Sequence, residues 1–378
     1  MRTSDSERPR HILGINSGTS ADGVDLALIR IHGRGTAREV ELLHSGSAKF
    51  PHDLQQAIHL ASSWELADVA RFHHGLGVFF GRCAREFLAS VKVPREFLTC
   101  IGSHGQTVFH HGGDPRNGSL QLGCLSTLAA TAGIAVVGDF RSADLAQGGQ
   151  GAPVSPFADW VLHGGSGKER TILNMGGIAN LTLLPVDGPP VAWDSGPANG
   201  PLDALMRAER DTGFDENGAL ACSGQVLESL LTDLQTDDYF SAAPPKSTGL
   251  EHFGANFVKD LRQKNPSAKL EDLLATLVEL LAWSVSTSLK VAGWQGGPVY
   301  LCGGGAHNLA VREALDRHLG VTRIFSYQDL GWNPDFREAV AFALLADAFL
   351  LGEPSTWPTT TGARAPAVLG VWSPAGIT

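Results

Sequence analysis

The sequence predicts a mixed α/β fold built as two related lobes that face each other. Three observations carry this reading. Strand-like apolar runs alternate with helix-like runs, the order that layers helices on sheets. Two hairpins of one design (apolar strand, glycine turn, apolar strand) stand near the start of each half, at His11–Ile31 and Arg170–Leu184. The strands end in small or polar residues, as a ligand site at strand ends requires.

The totals are compatible with that architecture. The 378 residues suffice for two domains with buried cores. With 43% apolar and 18% charged residues the chain is globular in composition. A net charge of −10 excludes a general nucleic-acid binder, which needs a basic footprint. No uninterrupted apolar run reaches the roughly 18 residues that suggest a membrane span, so no membrane partner is expected. MRTSDSERPR at the start lacks the apolar stretch of a signal peptide and reads as a frayed tail. Cys83, Cys100, Cys124, Cys222 and Cys302 are scattered without a CxxC, which suggests reduced thiols and a cytoplasmic protein.

Taken in order, the elements are these. After the first hairpin, Leu54 to Val91 has apolar spacings of three and four and predicts a helix. Thr99 to His104 predicts a strand running into a polar loop, SHGQT. Leu120 to Gly133 reads as a helix and Ala135 to Phe140 as a buried strand. The glycine-rich RSADLAQGGQGAP, Arg141 to Pro153, marks a domain junction. Val191 to Met206 is a strand, a polar turn and a helix. Pro298 to Cys302 is a strand, followed by GGGAHN and a helix from about Leu309. Phe336 to Leu351 is a strongly apolar helix.

The strand tips carry the candidate chemistry. SGTSADG gathers two hydroxyls and a carboxylate on a tight turn, NMGGIAN tips the second hairpin, and CGGGAHN is a third glycine tip. Glycines let backbone N–H groups approach an anion, and hydroxyls add donors. One such tip alone is better read as an ordinary turn, whereas three together favour a phosphate ligand. Asp22, Asp139, Asp194 and Glu338 sit at or beside strand or helix ends. Each could cap a turn, bind Mg²⁺ or act as a base. His104 could be a hydrogen-bonded structural residue or a catalyst. Arg141 could pair with Asp139 or bind a substrate oxygen. No Walker A, protein-kinase or GxGxxG pattern is present, so any ATP site uses a different cradle.

GINSGTSADGVD, IGSHGQT, GDFRSADLAQGGQGAP, NMGGIANLT, WDSGPANG, PKSTG, CGGGAHN and REAVAFALLADAFL occur in this order over most of the chain. Together they resemble the anhydro-N-acetylmuramic acid kinases of the sugar kinase, Hsp70 and actin superfamily. The resemblance implies two ribonuclease-H-like lobes with a nucleotide and sugar cleft between them. We expect residues 1–142 with 357–378 in the N-terminal lobe and 143–356 in the C-terminal lobe. It implies ATP bound by Ser17, Gly18, Thr19, Ser20, Asp22 and Gly23, by Gly176 and Gly177, and by Gly303, Gly304, Gly305 and Asn308. Mg²⁺ is implied at Asp22 and Glu338. His104, Asp139, Arg141, Gly196, Pro197 and Glu338 are expected to meet the sugar, and Asp194 is the implied catalytic base. The implied reaction opens a 1,6-anhydro ring with water and phosphorylates O6, yielding ADP and N-acetylmuramic acid 6-phosphate for cell-wall recycling. A homodimer is expected.

Three residues depart from the family pattern: Asn16 where Met is usual, Ala198 where Gly is usual, and Leu250 where Arg is usual. NSGTS also resembles levoglucosan kinases, relatives that act on 1,6-anhydroglucose. A sugar or nucleotide sensor on the same scaffold is the non-catalytic alternative, and it would not need Asp22, Asp194 and Glu338 together.

Overall fold

A computed structural model describes residues 8–18, 21–112, 117–210, 212–320 and 323–376. Thr19, Ser20 and the first seven residues of the expected tail lie outside them. Along the chain the strands are β1 (Arg10–Ser17), β2 (Gly23–His32), β3 (Glu39–Lys49), β4 (Cys100–His111), β5 (Gly118–Leu122), β6 (Val136–Gly138), β7 (Arg170–Met175), β8 (Ile178–Leu184), β9 (Val191–Pro197), β10 (Val299–Cys302), β11 (Ile324–Ser326) and β12 (Val371–Ser373). They form two α/β units. One spans Met1–Gly165 and Asp335–Thr378, the other Ser166–Pro334.

The first unit holds a seven-stranded sheet ordered β12-β6-β4-β1-β2-β3, with β5 paired to β4. The second holds a five-stranded sheet ordered β11-β10-β7-β8-β9. Both units share one plan. An antiparallel three-strand meander (β1-β2-β3 or β7-β8-β9) is extended from its first strand by parallel strands (β4 and β6, or β10 and β11). This is the strand order expected of a ribonuclease-H-like lobe, and the sequence hairpins are its first two strands in each unit.

In the first unit the helix Arg337–Leu351 lies directly on β1 and β4. Its close approach requires glycine. A Cβ on Gly14 would stand 1.7 Å from Ala339 O, and one on Gly102 would stand 2.2 Å from Phe342 O. Apolar side chains of the helix Leu66–Ser90 and the helix Leu125–Ala132 share a second core cluster with Leu13, Ile15 and Ile101. In the second unit the helix Leu270–Val291 is the core helix. It is long and apolar enough to cross a membrane by length and composition, yet 67% of its most apolar stretch is buried, packed against β9 and the helix Leu309–Leu319.

Several expectations change. Arg10 is no tail residue. It opens β1, is buried, and bonds Asp347 Oδ1 at 2.5 Å through Nε, beside Arg38 at 2.8 Å from Asp347 Oδ2. SHGQT is not a loop, because β4 runs through it to His111. Gly105, at φ +76°, turns the strand between the end of its pairing with β6 at Ser103 and the start of its pairing with β5 at Gln106. Leu120 belongs to β5 rather than to a helix. The Leu54–Val91 run is two helices, His52–Leu60 and Leu66–Ser90. The unit boundaries fall after residue 165 and before 335, not at 142/143 and 356/357. The reason is a buried two-point ion pair between helices: Arg337 Nη2 stands 2.5 Å from Asp159 Oδ2 and its Nε 3.1 Å from Oδ1. It ties the helix Pro156–His163, and with it the glycine-rich stretch, to the returning helix of the first unit.

Candidate active site

In the first unit, polar residues gather at the carboxyl end of β1. Asn16 and Ser17 are the last two residues of that strand and both are buried. Ser17 Oγ lies 2.5 Å from Gln106 Oε1 and 3.2 Å from Gly23 O. Gln106 Nε2 in turn donates to Gly18 O at 3.1 Å. The hydroxyl expected to hold phosphate therefore braces the base of the hairpin. Gly23 sits against β3, where a Cβ would come within 2.6 Å of Ala48 O. Thr19 and Ser20 lie outside the described residues.

Asn16 Nδ2 donates to Glu338 Oε2 at 2.8 Å, so the departure from Met provides a donor to the carboxylate in the first turn of the helix Arg337–Leu351. Asp22 is exposed at the hairpin tip. Asp25 on β2 has its carboxyl raised above the usual range, first by burial, then against the Ser47 hydrogen bond by the charges of Asp22, Glu338 and Asp335. The two expected metal residues thus lie in one field of carboxylate charge. Hard oxygen donors in such a field fit Mg²⁺, which takes one or two carboxylates plus phosphate oxygens rather than a full protein cage. Among the described residues no group of three or more His, Cys, Asp or Glu closes on one point.

Arg141 Nη1 donates to Gly151 O at 2.7 Å, and its Nη2 stands 3.0 Å from His104 Nε2. Guanidinium can only donate, so Nε2 is the acceptor and the imidazole is neutral. Burial, then Arg141, pushes His104 down to about 3, in agreement. His110 is likewise pushed down to about 4 by burial and Arg141. Burial lowers Arg141 itself to about 10, against the pull of Glu338 and Asp144. Its Nε is buried with no hydrogen-bond partner among the described residues. Asp139, at φ +55°, accepts from Ser142 N at 3.1 Å, a turn-capping bond at the start of a short helix.

In the second unit, Asp194 sits partly buried on β9. Thr248 N donates to its Oδ2 at 3.0 Å, and Asn180 Nδ2 lies 3.4 Å from its Oδ1. Its backbone is clamped too: Asp194 N donates to Lys246 O at 2.9 Å and the Tyr239 hydroxyl to Asp194 O at 2.6 Å. Burial raises the Asp194 carboxyl to about 6, opposed by Thr248, Asn180 and Lys246 and helped by Glu251. Lys246 Nζ, 4.4 Å from the Tyr239 ring centre and bonded to Tyr239 O at 2.8 Å, is lowered to about 8 by burial.

The glycine tips of this unit meet at the end of β7. The carbonyls of Gly176 and Gly177 accept from the backbone of Ala198, Asn199 and Gly200, which seats the turn on the start of the helix Asn199–Glu209. Gly303, at φ +77°, leaves no room for a Cβ, which would fall 2.7 Å from both Asn174 Oδ1 and Met175 O. Gly305 packs on Met175 in the same way, and Gly304 follows the same turn. Asn308 Oδ1 caps the helix Leu309–Leu319 through Val311 N at 3.1 Å. Gly196 and Pro197 are buried in β9. A Cβ on Gly196 would reach within 2.8 Å of Phe240, so this glycine makes room for an aromatic cover.

Sequence reasoning passed over Gln106, Asn180, Tyr239, Lys246 and Thr248 as site residues. Gln106, Asn180, Lys246 and Thr248 stand in motifs already singled out (SHGQT, NMGGIAN, PKSTG), so the signal was present without a role attached. Tyr239 stands in none of them.

A family model described as anhydro-N-acetylmuramic acid kinase matches residues 10–375. A protein of that name from Xylella fastidiosa is 38% identical over 369 residues, covering 96% of each chain. One from Chromohalobacter salexigens is 40% identical over 365 residues, covering 95% of this chain and 98% of its own. One from Caldanaerobacter subterraneus is 34% identical over 384 residues, with 97% of each covered. With its motifs, its two α/β units and a match over nearly its whole length, the chain belongs to the anhydro-N-acetylmuramic acid kinase family.

Proposed function

We propose that the chain uses ATP and water to open 1,6-anhydro-N-acetylmuramic acid and phosphorylate its O6, giving N-acetylmuramic acid 6-phosphate and ADP. The single observation that carries this reading is Asp194. It is a carboxylate held in place by Thr248 and Asn180, yet raised by burial to about 6. A general base works best when its pKa lies near the operating pH. At neutral pH Asp194 is ionised and more basic than an exposed carboxylate.

The reaction balances as follows. Asp194 takes a proton from water, whose oxygen bonds to C1 of the sugar. The C1–O6 bond breaks with its electron pair going to O6. O6 then bonds to the γ-phosphorus, and the bond to the β-phosphate oxygen breaks, releasing ADP. Arg141, a buried guanidinium whose Nε has no hydrogen-bond partner among the described residues, supplies positive charge to sugar oxygens, and neutral His104 fixes its direction. Glu338 and Asp22 hold Mg²⁺, which when bound neutralises charge on the phosphate oxygens. Gly18, Gly23 and the turns at Gly176–Gly177 and Gly303–Gly305 take the phosphates and adenosine. A cytoplasmic homodimer belongs to the same proposal, and sedimentation velocity checks it.

A coupled ADP-release assay offers 1,6-anhydro-N-acetylmuramic acid and levoglucosan side by side. The muramic sugar is expected to turn over with kcat/KM at least about a hundredfold higher, a gap of about 2.7 kcal/mol. Preference for levoglucosan would reassign the substrate. ADP release with neither, in protein shown to bind nucleotide, would reject the reaction. Turnover in ¹⁸O-water, with anomeric exchange controlled for, is expected to label C1; an unlabelled product would leave a simple kinase.

A further inference from the structure

The glycine-rich stretch after Arg141 folds around one side chain, Asp144. This carboxylate is 1% exposed and, among the described residues, has no arginine or lysine hydrogen-bonded to it. Its Oδ2 accepts from Gly151 N at 2.7 Å; its Oδ1 accepts from Thr361 Oγ1 at 2.6 Å and from Thr356 Oγ1 at 2.8 Å. Its backbone carbonyl accepts from Gly149 N at 3.0 Å. A Cβ on Gly149 would stand 2.2 Å from Oδ2, so the loop wraps the carboxylate too closely for any other residue. Gln150 N is pinned to Thr361 O at 2.9 Å and Arg364 N to Gln147 O at 3.0 Å. The residue thus fixed, Gly151, is the one whose carbonyl holds Arg141 Nη1, while Nη2 of the same guanidinium reaches His104.

A fully buried carboxylate is costly unless its oxygens are satisfied by donors. Here the donors come from the loop on one side and from the segment Thr356–Thr361 on the other, so the charge is used to fix one loop conformation. We propose that Asp144 is a positioning residue for Arg141: through Gly151 it sets where the guanidinium points, and so governs capture of the anhydro sugar and not of ATP. This rests on the reading in which Arg141 meets the sugar.

The test compares the full-length protein with Asp144→Asn, which keeps shape and removes charge, and with Thr361→Val, which removes one donor and serves if the first variant does not fold. KM for the anhydro sugar is expected to rise about tenfold or more, since small misplacements of a contact group have large effects, while KM for ATP stays within about twofold. In an Arg141→Lys background the added loss from Asp144→Asn is expected to fall below about threefold, because groups acting through one another are not additive. Independently of any substrate, the His104 imidazole ¹⁵N signals, assigned with His104→Gln, are expected to shift in Asp144→Asn. Unmoved His104 signals, an unchanged sugar KM, or losses that multiply with Arg141→Lys would each overturn the positioning role. If the wild type phosphorylates no anhydro sugar, the functional reading falls, and the His104 signals still decide whether Asp144 sets Arg141.

Discussion

The two sheets carry matching rows of polar residues across their first three strands, and the rows differ in where the acid stands. In the first unit the row is Asn16, Asp25, Ser47, one residue from each of β1, β2 and β3. In the second it is Asn174, Asn180, Asp194 from β7, β8 and β9. The first row has its acid in the middle, bonded to the Ser47 hydroxyl at 2.6 Å on a sheet whose third strand has no buried residue. The second row has its acid on the third strand, and β9 is mostly buried beneath the helix Leu270–Val291 and the aromatic pair Phe240 and Trp283. Equal strand order therefore gives unequal chemistry. The open row keeps its one carboxylate, Asp25, beside the charges of Asp22, Glu338 and Asp335. The covered row partly shields one carboxylate from water and raises it toward neutrality.

The largest effect is expected from removing the acid of the covered row. Asp194→Asn retains the shape and an oxygen for Thr248 N but cannot take a proton. Turnover is expected to fall by about 10²–10⁴-fold, with KM for ATP nearly unchanged; turnover within tenfold of wild type would sink the base role. The same variant reports the cost of the cover. A carboxylate raised from its usual value to about 6 binds its proton more tightly folded than unfolded, so ionising it destabilises the fold. The penalty is absent at pH values below the ordinary carboxylate pKa, grows between there and pH 6, and is complete above. Asp194→Asn is thus expected to be more stable than wild type at pH 7.5, by about 1–2 kcal/mol after allowance for the part that water reaches, and equal to it below about pH 4. Thermal melts at the two pH values check this. No gain at pH 7.5 would mean that burial does not set the pKa.

Next in size is an attack on the cover itself. Phe240 is buried, packs edge-on against Trp283 at 5.3 Å, and fills the space that a side chain at Gly196 would need. Phe240→Ala is expected to cost about 3–5 kcal/mol. It is also expected to lower the acid limb of the kcat profile from near 6 toward the ordinary carboxylate range. Phe240→Leu, with a smaller cavity, keeps the pH measurement possible if the first variant unfolds. An acid limb unmoved in both would place the origin of the shift elsewhere, with Glu251 the remaining source.

The parts legible in the sequence were those decided locally. Apolar strands around glycine turns gave both hairpins, and an apolar run ending in a carboxylate placed Asp194 on a strand. The illegible parts are decided by distant partners. Nothing near His104 says that Gly105 lets the strand continue, because the turn there answers to β5. The boundary after residue 165 depends on Asp159 meeting Arg337. Ser17 reads as a ligand hydroxyl until Gln106 is found beside it. PKSTG has no role of its own in the sequence until Thr248 N and Lys246 O are found bonded to Asp194.

The smallest effect is expected at Leu250, the departure that stands beside the covered row. Its Cδ2 lies 2.5 Å from where a Cβ on Gly200 would stand and 3.3 Å from that on Gly177. The side chain therefore lies across two glycines of the second hairpin and of the helix start it is seated on. Leu250 is 55% exposed, so it excludes little water, and its contribution is contact rather than burial. Leu250→Ala removes that contact and leaves the backbone bonds from Ala198, Asn199 and Gly200 to the hairpin carbonyls in place. Stability is expected to change by about 0.5 kcal/mol or less, as at most surface positions. If the Gly176–Gly177 turn holds phosphate, the loosened turn is expected to raise KM for ATP about two- to threefold, an effect of about 0.4–0.7 kcal/mol, with kcat and sugar KM unchanged. Steady-state kinetics with each substrate varied in turn separates these. A rise in sugar KM with ATP unaffected would move the second hairpin from the nucleotide to the sugar.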